Sequence, residues 1–242
     1  MTDRLTYVGH ATVLIEVGGA RLLTDPVLRP RVAHLIRDTP VPAELGRLDA
    51  ILLSHGHHDH LDLPSLRGLD PSAPVLAPPD AAGALRRARR PVRALVPGEE
   101  VEVAGVTVRA VRADHDGRRY PVGTAVNSLG YVAGGVYFAG DTEPFPEMAE
   151  LAGTLDAALL PVSGWGPKTG PGHMDPREAA EALALVRPRL AVPIHWGTYH
   201  RIGHRATGDP PREFAEHAAE LAPEVRVVVL EPGGSVEITR AV

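Results

Sequence analysis

The sequence predicts an α/β protein of four layers, in which two β-sheets pack face to face and helices cover their outer sides. Two observations support this fold class. The 242-residue chain has two halves, and each begins with short β-type segments and continues into helix-type segments. Many of the β segments are joined by tight glycine turns, which is typical of antiparallel hairpins. A sandwich of two such sheets fits this order better than a doubly wound parallel sheet does.

The first half is predicted to contain five strands and one helix. Gly18 and Gly19 form a two-residue hairpin turn between the second strand and the third. Asp80 stands at the start of a helical segment at 80–90. The strands are predicted at residues 4–8, 11–17, 20–24, 49–53 and 74–78.

The second half is predicted to repeat this order. The strongest helix begins at Asp175, because an aspartate N-cap, a proline at the next position and Glu178 two residues further form a capping box; it runs to about Arg187. A last helix runs from Asp209 to about Leu221. The strands are predicted at 100–111 and 128–141 (each with an internal turn), at 155–162 and at 190–194, and 225–238 is predicted to close the chain as a hairpin. We expect one domain over residues 1–242.

Composition excludes several classes of protein. Hydrophobic residues make up 44% of the chain and charged residues 23%, as in ordinary globular proteins. The net charge of -5 gives no basic field for nucleic acid or anionic membrane. The absence of cysteine excludes disulfides, thiolate ligands and a cysteine nucleophile. With no apolar run of membrane-spanning length and no signal-peptide pattern at the start, we expect a cytoplasmic protein without stable membrane insertion. The sequence does not indicate an oligomeric state.

The stretch SHGHHDHLD at residues 54–62 has the spacing of a metal site. His55 and His57 follow an apolar strand, and a period of two places both side chains on one side. Asp59 and His60 come next, where the chain must turn, so the two pairs can face two neighbouring metal ions. Imidazole and carboxylate groups suit zinc, and also manganese or iron. A solvated histidine-rich loop is the alternative, and the position at a strand end argues against it.

Five motifs are spread along the chain, namely GHATVLIE (9–16), LLTDP (22–26), SHGHHDHLD (54–62), FAGDT (138–142) and PIHWGT (193–198). Together and in this order they resemble the metallo-β-lactamase superfamily. Its branch with ascorbate-6-phosphate lactonase and the phospholipase D that cleaves N-acylethanolamine phospholipids is the most similar, because of the GHAT start and the final His-Trp-Gly. The resemblance covers nearly the whole chain and implies a four-layer αββα sandwich.

The resemblance also implies where the remaining ligands come from. His115, in VRADHDGR, would complete the first metal site with His55 and His57. Asp141, in AGDT, would bridge both metals, and His195, in PIHWGT, would join Asp59 and His60 at the second site. Each of these residues lies where a predicted strand ends, and strand ends can converge on one edge of the sandwich.

Four further residues are candidates for the surroundings of the site. Asp25 could accept a hydrogen bond from a ligand histidine, or it could be a turn aspartate before Pro26. His10 could line the cleft or only close the turn at Gly9. His173, in a glycine-rich loop before the Asp175 helix, is a candidate for contact with the substrate or its leaving group. Trp165 could be a pocket wall or a core residue.

These residues favour a hydrolase with two divalent metal ions, zinc being expected and manganese or iron being alternatives. Two metals can share a water and lower its pKa, so that hydroxide forms near neutral pH and attacks an electrophilic centre. Asp59 could also orient this nucleophile. By analogy with the named branch, the substrate is expected to be a small molecule with an ester-type bond, either a phosphodiester or a lactone. The alternative is a metal-stabilised binding or regulatory protein without turnover.

Overall fold

The computed structural model describes residues 2–41, 45–87, 89–115, 128–163, 171–203 and 208–240. The candidate pocket residue Trp165 lies outside these ranges. The strands are β1 (Arg4–Gly9), β2 (Thr12–Val17), β3 (Ala20–Thr24), β4 (Arg31–Val32), β5 (Leu35–Arg37), β6 (Ala50–Leu52), β7 (Val75–Ala77), β8 (Val92–Ala94), β9 (Glu100–Val103), β10 (Val106–Arg112), β11 (Leu129–Ala133), β12 (Val136–Phe138), β13 (Ala157–Pro161), β14 (Leu190–Ile194), β15 (Tyr199–Arg201), β16 (Arg226–Val227) and β17 (Ser235–Glu237). The helices are α1 (Leu63–Arg67), α2 (Pro79–Arg87), α3 (Pro176–Val186) and α4 (Pro210–Leu221), with a 3-10 helix at Pro146–Leu151.

Two mixed seven-stranded sheets form the centre of the fold. The first has the order β17-β1-β2-β3-β6-β7-β8, and the second has the order β16-β14-β13-β12-β11-β10-β9. A small three-stranded sheet, β15-β5-β4, lies beside them. None of the helices in the described ranges is long and apolar enough to cross a bilayer.

The central strands of both sheets, such as β6, β13 and β14, bury side chains on both faces, which explains their apolar composition. Leu22 of β3 and Leu159 of β13 belong to one cluster between the two sheets. The next residue on β3, Leu23, packs instead with Leu66 and Leu85 of α1 and α2. In the same way, Leu160 packs with side chains of α3 and α4 on the outer side of the second sheet. The predicted order of layers, helix, sheet, sheet, helix, is confirmed.

The predicted hairpin at 225–238 is wrong. β16 pairs in parallel with β14, whereas β17 pairs antiparallel with β1, so the two strands lie in different sheets. The segment between them crosses from one sheet to the other, and each strand adds to an edge that would otherwise expose its backbone. The glycine turn at 233–234 therefore serves a crossover.

Several short elements were not predicted, namely the small sheet, α1, β8 and the 3-10 helix. In α1, Asp62 is the N-cap and its side chain accepts a hydrogen bond from the Ser65 backbone at 3.0 Å. The capping box of α3 is confirmed, because Asp175 and Glu178 bond each other's backbone reciprocally. The capping box thus made the start of α3 predictable. The short elements carry too few residues for a recognisable pattern, and α1 is only five residues long although Asp62 caps it.

Candidate metal centre

The predicted ligand residues converge on one end of the sandwich. His55, His57, Asp59 and His60 lie in the loop that follows β6, in the first sheet. The others follow strands of the second sheet: His115 after β10, Asp141 after β12 and His195 after β14. The candidate centre is therefore assembled from strand ends of both sheets.

Three imidazoles form a first cluster. His55, His57 and His115 have nitrogen atoms that all lie within 4.8 Å of one another. Nε2 of His115 is 3.2 Å from Nδ1 of His57, and the ring centroids of His55 and His57 are 4.5 Å apart. This is the triad that the resemblance implies for the first metal.

A second cluster contains Asp59, His60, His195 and also His10, again with ligand-type atoms within 4.8 Å of one another. Oδ2 of Asp59 is 3.7 Å from Nε2 of His60 and 3.7 Å from Nε2 of His195. The geometry answers the open question about His10, which closes the turn after β1 and also lies against the centre.

Asp141 lies between the two clusters. Its Oδ2 is 3.0 Å from Nε2 of His60 and 3.9 Å from Nε2 of His55, and its Oδ1 is 3.5 Å from Nε2 of His195. Gly140 brings it there with φ of +64°, and a Cβ at Gly140 would lie 2.7 Å from the Cβ of Ser54. The position matches the bridging place that the resemblance implies for Asp141.

Asp25 orients histidines of both clusters. Its Oδ2 accepts a hydrogen bond from Nδ1 of His60 at 2.7 Å, which confirms the predicted contact with a ligand-type histidine. It also accepts hydrogen bonds from the backbone (2.7 Å) and the hydroxyl (2.5 Å) of Ser54. The Ser54 Oγ in turn lies 2.9 Å from Nδ1 of His55. Because both Nδ1 atoms face these acceptors, both Nε2 atoms face the centre.

Backbone carbonyls orient two more histidines. Nδ1 of His195 is 2.7 Å from the Ser163 carbonyl oxygen, and Nδ1 of His115 is 2.7 Å from the Gly172 carbonyl oxygen. The Gly172 N–H donates to Oε1 of Glu143 at 2.6 Å. The roles of Ser54 and Glu143 were not predicted. Ser54 begins the motif at 54–62 and Glu143 follows the motif at 138–142, but their contacts become visible only in the folded chain.

The electrostatics of the centre favour a bound cation. Burial lowers the pKa of His55 well below its usual value and that of His115 to about 4, so both imidazoles are neutral at neutral pH. Burial also opposes a charge on His60, but neighbouring carboxylates, Asp141 foremost, outweigh it and raise the pKa of His60 well above its usual value. Burial would raise the pKa of Asp141, yet His195 and His60 hold it well below its usual value. The ionised carboxylates therefore stabilise a positive charge placed between the two clusters.

Buried polar atoms test whether a metal fits. Among the described residues, Nε2 of His55 and Oδ1 of Asp141 are buried and have no hydrogen-bond partner. Such atoms cost free energy unless another group satisfies them. Imidazole nitrogen and carboxylate oxygen are the ligands that zinc and related divalent ions take in proteins. The residues of the centre therefore fit divalent metal ions.

His173 lies at the edge of this centre. Its Nε2 is 3.3 Å from Oδ2 of Asp141, its ring centroid is 4.9 Å from that of His115, and 16% of its side chain is exposed. His173 therefore combines a contact inside the centre with access from outside. Tyr199, in contrast, is buried, and its hydroxyl donates to the backbone oxygen of Arg29.

Two face-to-face sheets with outer helices, and a histidine and aspartate centre at their shared edge, define the metallo-β-lactamase fold. Residues 20–196 match the family model described as the beta-lactamase superfamily domain. The chain belongs to this superfamily.

Relatives extend the comparison over the full chain. It is 35% identical to a protein of Aeropyrum pernix named UPF0173 metal-dependent hydrolase, over 97% of each chain. Among solved structures it is similar to Igni18, described as a metallo hydrolase from Ignicoccus hospitalis, with 26% identity, a TM-score of 0.75 and complete coverage of both chains. CmlA, a diiron beta-hydroxylase from Streptomyces venezuelae, shares the fold with a TM-score of 0.75 at 19% identity, over 98% of this chain and 54% of that one.

Proposed function

We propose that the chain is a metal-dependent hydrolase that holds two divalent metal ions and cleaves an ester-type bond of a small molecule. The observation that carries this proposal is the position of Asp141, whose two oxygens face histidines of both clusters. The Aeropyrum pernix relative is named as a metal-dependent hydrolase, which supports the same class. The expected bond is a phosphodiester or a lactone, and the expected metal is zinc, with manganese or iron as alternatives.

The two clusters provide the ligands in this proposal. His55, His57 and His115 would hold the first ion, and Asp59, His60 and His195 would hold the second. Asp141 would contribute to both. When bound, two such ions supply a hydroxide near neutral pH and stabilise the negative charge that develops on the attacked group.

The side chains divide the remaining work. Asp59 keeps its carboxylate at the entrance of the second cluster, where it would orient the attacking water. His173 would hold a proton at Nε2 for the leaving oxygen, because this atom is close to Asp141 and its side chain is reachable from outside. No protein nucleophile is needed, in agreement with the absence of cysteine.

The substrate is expected to be small and polar. The whole chain has two tryptophans and three phenylalanines, which offers little aromatic surface for a large apolar substrate. Net charge and composition favour a cytoplasmic enzyme without a nucleic-acid partner, and both points stay predictions.

The test is hydrolysis of bis(p-nitrophenyl) phosphate by protein loaded with zinc or manganese, with bound metal measured on the same samples. Asp59→Ala should abolish turnover, and His173→Ala should reduce it while the metal content stays at two ions per chain. Asp80→Ala, which removes an exposed aspartate on α2, is the matched control and should behave like the wild type.

The outcomes separate the alternatives. Turnover that survives in Asp59→Ala would contradict the proposed roles. Two bound ions without turnover would move the search to lactones, tested as acid release from γ-butyrolactone. Bound metal with no turnover on either substrate class would favour the non-catalytic binding or regulatory protein. A chain that binds no divalent metal would overturn the proposal.

A further inference from the structure

The turn between β1 and β2 is interlocked with the loop that carries His195. The His195 N–H donates to the His10 carbonyl oxygen at 2.8 Å, and the His10 N–H donates to Oγ1 of Thr198 at 2.8 Å. The imidazole rings of His10 and His195 lie against each other, with centroids 4.0 Å apart. His10 adopts φ of +57°, a left-handed conformation that favours glycine. The turn therefore holds the His10 side chain in place at a backbone conformation that glycine would adopt with less strain.

The side chain fixed in this way faces Asp59. Nε2 of His10 is 3.3 Å from Oδ2 of Asp59. The His10 side chain is 2% exposed, whereas that of Asp59 is 13% exposed. An ionised carboxylate can only accept a hydrogen bond, so the proton of this contact belongs to Nε2 of His10. A ring nitrogen that carries a proton has no lone pair for a metal.

We propose that His10 is a positioning residue that donates a hydrogen bond from Nε2 to Asp59 and so holds this carboxylate at the second cluster. The inference rests on the proposed metal site. Asp59 lies in a turn of the 57–60 loop and is 13% exposed, so a hydrogen bond from the buried His10 restricts the orientations of its carboxylate. Outer hydrogen bonds of this kind typically change metal affinity or activity by about 10- to 100-fold when they are removed.

A double-mutant cycle on zinc affinity tests this role. A competition titration with a chromophoric chelator measures the zinc affinity of the wild type, the two single variants His10→Phe and Asp59→Ala, and the double variant. His10→Phe keeps an aromatic ring against His195 but has no donor. We expect this variant to bind one of the two zinc ions about 10- to 100-fold more weakly and to bind the other with unchanged affinity. In the Asp59→Ala background the same change should have no further effect, because the donor has lost its acceptor.

Two further measurements separate positioning from direct ligation. His10→Gln places an amide N–H near the carboxylate and should recover most of the lost affinity. At saturating cobalt, His10→Phe should show the visible spectrum of the wild type, because the ligand set is unchanged. His34→Ala, at an exposed histidine of the same N-terminal region, is the matched control and should bind both ions normally. Circular dichroism verifies the fold of each variant, and His10→Leu replaces His10→Phe in the cycle if the latter does not fold.

Additive losses in the double variant, or a changed cobalt spectrum, would make His10 a ligand and overturn the proposal. Unchanged zinc affinity in the His10 variants would show that His10 only closes the turn, which would also overturn the proposal. Either result leaves the proposed hydrolase intact, whereas a wild-type chain that binds no metal would overturn both.

Discussion

Replacing Asp25 by asparagine tests whether a single carboxylate organises both clusters. The change keeps the size of the side chain but replaces one acceptor oxygen by an NH2 group. Oδ2 of Asp25 accepts hydrogen bonds from Ser54 Oγ and from Nδ1 of His60, and Oδ1 accepts one from the Ser54 backbone. Whichever way the amide is turned, its NH2 group faces at least one of these donors.

The size of the effect follows from these contacts. A buried donor left without an acceptor costs about 1 to 3 kcal/mol, so the free energy of unfolding should fall by about that amount. If the amide NH2 faces His60, Nδ1 must accept and the proton moves to Nε2, which removes the lone pair that faces the centre. In that orientation zinc affinity should fall by about 10- to 100-fold, which corresponds to roughly 1.4 to 2.8 kcal/mol. An amide whose NH2 group faces the Ser54 backbone should lower only the free energy of unfolding.

The assay is a competition titration with a chromophoric chelator, combined with thermal unfolding. Glu224→Gln, at an exposed carboxylate between α4 and β16, is the matched control and should change neither quantity. An Asp25→Asn protein with both wild-type zinc affinity and wild-type stability would refute the reasoning, because either orientation of the amide leaves at least one of the three donors without an acceptor.

The remaining predictions concern stability. Gly172→Ala should lower the melting temperature and the zinc content more than Gly153→Ala does. Both glycines have left-handed φ, but a Cβ at Gly172 would clash with Nδ1 of His115, whereas a Cβ at Gly153 would meet nothing within 4 Å. Equal effects would show that the clash with His115 is unimportant. Tyr131→Phe should cost about 1 kcal/mol in denaturant unfolding, because its hydroxyl donates to the Leu53 carbonyl at 2.8 Å. Tyr137→Phe should be nearly neutral, because the buried Tyr137 hydroxyl has no hydrogen-bond partner within the described ranges; a loss as large as at Tyr131 would contradict this. Removal of metal by EDTA should lower the melting temperature measured by calorimetry, because an ion at 1,000 times its Kd stabilises the native state by about 4 kcal/mol. His60→Ala should reduce the difference in melting temperature between samples with and without EDTA.

The long regular elements of the fold were predictable because their residues carry local information. The strand predicted at 11–17 is observed as Thr12–Val17, and the helix predicted from Asp175 is observed from Pro176. Hairpin glycines and caps act within a few residues, so the sequence alone locates them. The strands of the small sheet are two or three residues long and pair Tyr199 with Arg37, and no local pattern indicates such a distant partner.

The candidate site divides in the same way. The histidine spacing after β6 is local, and the resemblance supplied His115, Asp141 and His195, all of which the fold brings together. The contacts around them could not be predicted. The Glu143 side chain contacts His115 through the Gly172 peptide, which lies in the loop before α3 and not on the strand that precedes Glu143. Such contacts depend on how three separate loops pack.

The left-handed backbone at the centre has an evolutionary consequence. His10, Asp25 and His195 have φ of +57°, +29° and +66°, where a side chain other than glycine costs on the order of 1 kcal/mol. Glycine at these positions would relax the backbone but remove the groups that meet at the centre. Selection for function is therefore expected to keep these three side chains at turns where the backbone alone would favour glycine.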